Sequence, residues 1–167
     1  MDYKFIFIQV LGFVAWLFLL FSYYQKNTKR ILVFQIIGNI LFIIHYFFLN
    51  AFSGLVICAC DMIFGTGYYK SNKAIKVYII SIPIRILCGL LFFSTWLDVL
   101  PIAAGLIEGY SLTKEKKFIV IGAIFTYIIW LIYDFCVLSI SGALSDGIII
   151  ASNIFIIFNI KRKRSIK

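Results

Sequence analysis

The sequence predicts an all-α polytopic membrane protein of seven transmembrane helices, arranged as two parallel three-helix repeats on either side of a linking helix. Three observations carry this expectation. Of 167 residues, 63% are hydrophobic, well above the roughly 45–50% apolar content of soluble domains. Uncharged runs, many close to the roughly 20 residues that a helix needs to cross a hydrocarbon core of about 30 Å, follow one another along almost the whole chain. The polar breaks between them recur at one fixed offset.

Spans are expected near 5–24, 31–49, 53–69, 75–93, 97–112, 118–138 and 142–160. The first, in "MDYKFIFIQVLGFVAWLFLL", has a single lysine, no small-residue cleavage site and an apolar run too long for an ordinary signal peptide, so it reads as a retained span. The third and fifth are short and carry Asp61 and Glu108. The fourth, "IKVYIISIPIRILCGLLFF", holds Arg85 two residues after Pro83, which removes a helix hydrogen bond and invites a kink. No room remains for a soluble domain.

The net charge of +9 would suggest nucleic acid in a soluble chain. Here the cations sit in connectors. Lys26, Lys29 and Arg30, then Lys70, Lys73 and Lys76, then Lys114, Lys116 and Lys117, and finally Lys161, Arg162, Lys163, Arg164 and Lys167 make fourteen of the sixteen Lys and Arg residues. The alternate connectors "NAFSG", "STWL" and "SISG" have none. By the positive-inside rule the N-terminus is outside and the tail, 161–167, cytoplasmic. The expected partners are the lipid bilayer, with its anionic headgroups at the basic loops, a small polar solute, and further copies of the same chain; no nucleic acid is expected. The four cysteines lie inside apolar segments without the convergent spacing of a metal or disulfide site, and no cofactor or metal is expected.

Shifting the chain by 88 residues lays the first three spans on the last three without a gap. "QKNTKR" meets "TKEKKF", and "HYFFLNAFSGL" meets "YDFCVLSISGA", which places Ser53-Gly54 on Ser141-Gly142. A directly fused odd-numbered copy would sit upside down. The fourth span returns the chain across the membrane, so that repeat one (about 5–69), the linker helix (about 75–93) and repeat two (about 97–160) form a SWEET-like 3+1+3 arrangement.

Ionisable groups inside a bilayer cost about 2.5–3.5 kcal/mol or more, so they face a bundle interior and find partners. Gly54, Cys58, Asp61 and Gly65 share one helical face, which the repeat maps onto Gly142, Asp146, Ile149 and Asn153. Asn39, Phe42 and Tyr46 share another, mapped onto Tyr127, Trp130 and Asp134. The candidate substrate-binding residues are therefore Asn39, Asp61, Arg85, Glu108, Trp130, Asp146 and Asn153. Each has a plainer alternative: packing glue for the amides, an interfacial belt for the aromatics, and a structural ion pair for Arg85 with Asp61 or Glu108. Glu108 is placed somewhat nearer the cytoplasm than Asp61, and His45 and Asp134 at a solvated outer mouth. The single histidine excludes a two-histidine metal motif, and no phosphate loop or Ser-His-acid set appears, so an enzyme is not expected.

The stretch "LGFVAWLFLLFSYYQKNTKRILVFQIIGNILFIIHYFFLNAFSG" (11–54) resembles the YgjV family of bacterial inner-membrane proteins and, more distantly, the PQ-loop and SWEET group. The residues that carry the resemblance are Gly12 and Trp16, Gln25 followed by basic residues, and "IIHYFFLNAFSG". It implies a bacterial inner-membrane location and, through the distant relatives, movement of sugars or amino acids. It carries over no functional residue. Where the distant group has a Pro-Gln pair this chain has Tyr24-Gln25 and Leu112-Thr113, which argues against a proline hinge. The function expected is a small-solute transporter with a polar site between the repeats; the alternative is a non-transporting sensor or assembly protein.

A reporter active only in the cytoplasm is expected to work when fused after Lys73, Lys116 or Lys167 and to fail after Ser53 or Ser141. Activity at Ser141 would rule out the seven-span order.

Overall fold

Apolar runs free of turn residues fold as helices. The computed structural model describes residues 3–25, 27–70 and 74–165. The helices are α1 (Tyr3–Tyr23), α2 (Thr28–Phe48), α3 (Phe52–Lys70), α4 (Ala74–Leu91), α5 (Val99–Ser111), α6 (Lys116–Cys136) and α7 (Ile140–Ser165), with a 3-10 turn over Trp96–Asp98. Of the basic residues read as orientation signals, Lys26, Lys73 and Lys167 lie outside the described residues.

Every helix bound but the end of the seventh lies within three residues of expectation, and two of the shifts bear on the turns. The fifth helix starts at Val99 rather than 97, because the Asp98 carboxylate accepts hydrogen bonds from the Ser94 and Thr95 N–H groups at 2.8 and 2.7 Å and bends the chain into the 3-10 turn. Pro101 then sits in the first turn, where its missing N–H has no helical partner to lose. The seventh begins at Ile140 rather than 142 and continues through the basic tail to Ser165. Pro83 does not end α4, which runs on to Leu91.

Among the described residues five helices, α1, α2, α4, α6 and α7, are long and apolar enough to cross a membrane. α5 has 13 residues, or about 20 Å at 1.5 Å per residue. The distribution of side chains is inverted relative to a soluble fold. Arg85, His45, Thr126, Asp134 and five serines are among the most deeply buried side chains, while Phe7, Phe21, Ile63, Leu87, Phe125 and Phe155 are exposed. That is what a hydrocarbon solvent demands: apolar surface outside, and polar groups facing one another.

α2 packs between α1 and α3, and α6 between α5 and α7; α1 closes on α7 and α3 on α5. α4 lies across α3 and α5. Its buried residues, Ser81, Arg85 and Gly89, recur every fourth position, so a single stripe faces the bundle. The buried centre is formed by Ala15, Phe42, Tyr46, Ala51, Ile57, Ala104, Trp130 and Tyr133.

The 88-residue offset reappears in the coordinates. Both ends of α6 lie 88 residues after those of α2, and α7 starts 88 residues after α3. The turns between them agree bond for bond. Leu49 N–H donates to His45 O at 3.1 Å and Ala51 N–H to Tyr46 O at 2.9 Å; Val137 N–H donates to Tyr133 O at 3.0 Å and Ser139 N–H to Asp134 O at 2.9 Å. Each turn passes through one left-handed residue, Asn50 at φ 57° and Leu138 at φ 59°. The following Gly54 and Gly142 lie against Tyr133 and against Asp134 with Ser139, where a Cβ would collide.

Asparagine tolerates the left-handed region, whereas leucine suffers a clash of Cβ with the carbonyl. Leu138→Gly is therefore expected to stabilise the purified protein by about 0.5–1 kcal/mol, after allowance for the freedom that glycine gives the unfolded chain. Asn50→Gly should gain less, and thermal unfolding in detergent measures both.

Candidate functional site

The end of the bundle that carries the α2–α3 and α6–α7 turns is closed by side chains from α1, α2 and α6 and from the 3-10 turn. From α1, Gln9 donates to Leu138 O at 2.9 Å and accepts from Ser141 N–H and Oγ–H at 3.1 and 3.3 Å. From α2, His45 sits between Ile8 O, 2.8 Å from Nδ1, and Ser139 Oγ, 2.9 Å from Nε2. A carbonyl can only accept, so the ring carries a proton on Nδ1, and its Nε2 meets the Ser139 hydroxyl. These bonds seize the start of α7.

A second set seizes the start of α3. From α6, the Tyr133 hydroxyl lies 2.9 Å from Ser53 Oγ and accepts from Gly54 N–H at 3.0 Å. Ser53 Oγ also donates to Asp98 at 2.5 Å. Burial pushes the Asp98 carboxyl up, but the hydrogen bonds from Ser53, Thr95 and Ser94 outweigh it and leave it below the ordinary value. Asp98 is thus ionised at neutral pH and holds the turn by charge-assisted bonds. Between the two sets the Tyr46 hydroxyl donates to Asp134 Oδ1 at 2.8 Å.

Aromatic rings line the bundle beside this network. Phe42 stacks on Tyr46 and Tyr46 on Trp130, with centroids 6.1 and 5.9 Å apart, and Trp130 meets Tyr133 edge-on at 5.8 Å. Farther in, Asn39, Asp61 and Glu108 each lie nine residues from the turn end of their helix, about 13 Å down at 1.5 Å per residue. Arg85 pairs with Asp61 through Nη1, leans over the Phe64 ring at 5.6 Å, and passes its guanidinium across Gly105 of α5, where a Cβ would strike it. Arg85 is 2% exposed and Asp61 20%. A Cβ at Gly65, one turn beyond Asp61, would have no neighbour within 4 Å.

The expected site residues are therefore not one cluster. Asp61 and Arg85 are joined, and Glu108 is near enough for its charge to act on Arg85 without forming an ion pair. Glu108 and Asp61 each lie nine residues inside their helices. Trp130 belongs to the aromatic layer. Asp146 is buried, 6% exposed, with no hydrogen-bond partner at Oδ2 among the described residues. Asn39 is half-buried. Asn153 is half-buried and donates back to Ile149 O at 2.9 Å, a bond within its own helix. His45 and Asp134 correct the expectation of a solvated mouth: they are 0% and 1% exposed, because Ile8 of α1, Tyr46 of α2 and Ser139 of the α6–α7 turn bond to them. Gln9, Asp98, Tyr133 and Ser139 were not singled out from sequence. The offset held the signal, since it sets Tyr133 opposite His45.

A bacterial inner membrane protein family, Imp-YgjV, matches residues 6–164. The chain belongs to the Imp-YgjV family. Its inverted burial and five membrane-length helices agree with that family's description. No curated protein matches the chain, and no solved structure matches it.

Removing one member of a buried ion pair strands the other, typically at a cost of about 3–5 kcal/mol, whereas replacing both by apolar residues can be nearly neutral. Arg85→Leu is expected to destabilise by that order, and Asp61→Leu added to it to restore most of the loss. Glu108→Leu should not. Thermal unfolding of the three variants beside the parent protein in detergent separates these outcomes.

Proposed function

We propose that this family member is a seven-span carrier of a small polar solute, built as two parallel three-helix repeats with the solute site between them. The observation that carries the reading is the bond between Tyr46 and Asp134, two residues 88 apart in the chain. Corresponding residues of two repeats meet only near the axis that relates them. The ends of α2 and α6 and the starts of α3 and α7 all gather at that same end, which supports a rotation along the helices rather than an inversion. Each repeat then clasps the third helix of the other: Gln9 and His45 hold the start of α7, and Asp98 and Tyr133 hold the start of α3.

In this reading α3 and α5 also cross the membrane, the basic ends of the helices are cytoplasmic, and the clasp closes the outer side. The solute would sit among Trp130, Asn39 and Asp146, open toward the basic end past Gly65. Binding and passage are its action, with no catalytic step assigned. SWEET-like carriers share the 3+1+3 plan, with related halves flanking a mid-membrane site.

One observation favours a second reading, a scaffold or sensor whose charges are structural. Arg85 comes from α4, outside the two three-helix groups, and is 2% exposed against Asp61. We assign that pair to holding α4 in place, and the carrier site to the remaining groups.

Purified protein in proteoliposomes is expected to take up at least one member of a broad panel of labelled small polar solutes, saturably, and Asn39→Ala, at a half-buried position, to reduce that uptake tenfold or more while leaving the unfolding temperature within a few degrees. No uptake across the panel, together with an undiminished cellular phenotype in the Asp61→Leu/Arg85→Leu double variant, would favour the scaffold.

A further inference from the structure

The described interior holds more carboxyl groups than cations. Asp61, Glu108, Asp134 and Asp146 lie within the helices, against Arg85. Asp61 is taken by Arg85, and Asp134 by the Tyr46 hydroxyl. Asp146 is different. It is 6% exposed, and its Oδ2 has no hydrogen-bond partner among the described residues. A bare carboxylate oxygen in such surroundings costs several kcal/mol unless a positive charge or a proton accompanies it.

The groups that face Asp146 narrow what that companion is. From α6 comes a second carboxyl, Asp134, whose Oδ2 lies against Gly142, one turn before Asp146 on the same face of α7; from α2 comes Tyr46, whose hydroxyl is already spent on Asp134; from α3 comes Cys58. On α1, the other helix packed along α7, the ionisable residues Tyr3, Lys4 and Tyr23 are at the two ends, and Gln9 is spent on Ser141 and Leu138. This set offers no counter-cation. It also falls short of the six to eight oxygens that a hard divalent ion prefers. Two carboxyls in one apolar region cannot both ionise cheaply, so they hold a proton between them.

We propose that Asp146 is a proton-binding site, paired with Asp134 so that the two carboxyls together carry one negative charge. On loading, an O–H bond forms at Asp146 Oδ2 with a proton given up by hydronium, which leaves as water; on release the proton returns to water. Binding of the proton stands on this geometry alone. Its use, coupling solute movement to a proton gradient, rests on the carrier reading.

Infrared difference spectroscopy of the full chain in lipid nanodiscs reads the proton directly, through the carbonyl stretch of a protonated carboxyl. At neutral pH the protein should show that band, and Asp146→Asn, which keeps the side chain's shape and a polar tip, should remove one protonated carboxyl per chain. Asp146→Glu should retain the band at a shifted frequency, which guards against loss by misfolding. Exchange of sodium for choline at fixed pH should leave it unchanged. A band untouched by Asp146→Asn would overturn the proposal, as would one displaced by sodium, which would make the site one for an alkali cation. A protein that shows the band and its loss in Asp146→Asn but moves no solute in proteoliposomes keeps the proton site and loses the carrier reading.

Discussion

Hydrocarbon offers no hydrogen-bond partner, so every polar group that this chain carries into its interior must be answered by another part of the chain. That constraint organises the structure. It explains why Gln9, far along α1 from any loop, reaches the turn before α7, and why His45 and Tyr133, at the ends of α2 and α6, point across the bundle instead of into solvent. It also explains the use of serine. Ser53, Ser139 and Ser141 are wholly buried, small enough to leave helices close together and able to donate and accept at once.

The two halves answer the same demand with different chemistry. At positions 88 apart stand His45 and Tyr133, Tyr46 and Asp134, Cys58 and Asp146, Asp61 and Ile149. Each pair stands at matching helix positions but differs in side-chain chemistry. The α2–α3 and α6–α7 turns match in backbone but not in electrostatics: the buried cation and its partner lie on the α3–α4 side, and the carboxyl whose Oδ2 has no hydrogen-bond partner among the described residues lies on α7. A symmetric placement of Asp61 would put a second acid at 149, with no second arginine to meet it, because α4 occurs once.

This division tracks what could be read in the sequence. The helices, the 88-residue offset of their bounds and the Ser-Gly turns were legible because hydropathy and turn residues act locally. Asp61 was one of two expected partners for Arg85 because helical spacing put it at a suitable depth. The late start of α5 was not legible, since it depends on Asp98 capturing two backbone N–H groups and a serine from α3. The burial of His45 and Asp134 was missed for a related reason. Both stand near helix ends, where sequence alone suggests water, and the approach of α1, Tyr46 and the α6–α7 turn seals them off. Asn153 looked like a site by its mapped face but spends its amide on its own helix.

The two polar assemblies also differ in how readily they could be undone. Neutral hydrogen bonds contribute about 0.5–1.5 kcal/mol each when water can replace the lost partner. Those of Gln9, His45 and Tyr133 are of this kind, and they lie within about two turns of the helix ends, where water is close once the ends part. The Arg85–Asp61 pair has no such exchange available, because stranding either charge at depth costs about 3–5 kcal/mol. In the proposed carrier the clasp is therefore the element that opens, and α3, α4 and α5, joined through Arg85 and the close approach at Gly105, move as one body. Opening would part α7 from α1 and α2 and bring water toward Asp146, which is where a proton would have to enter or leave.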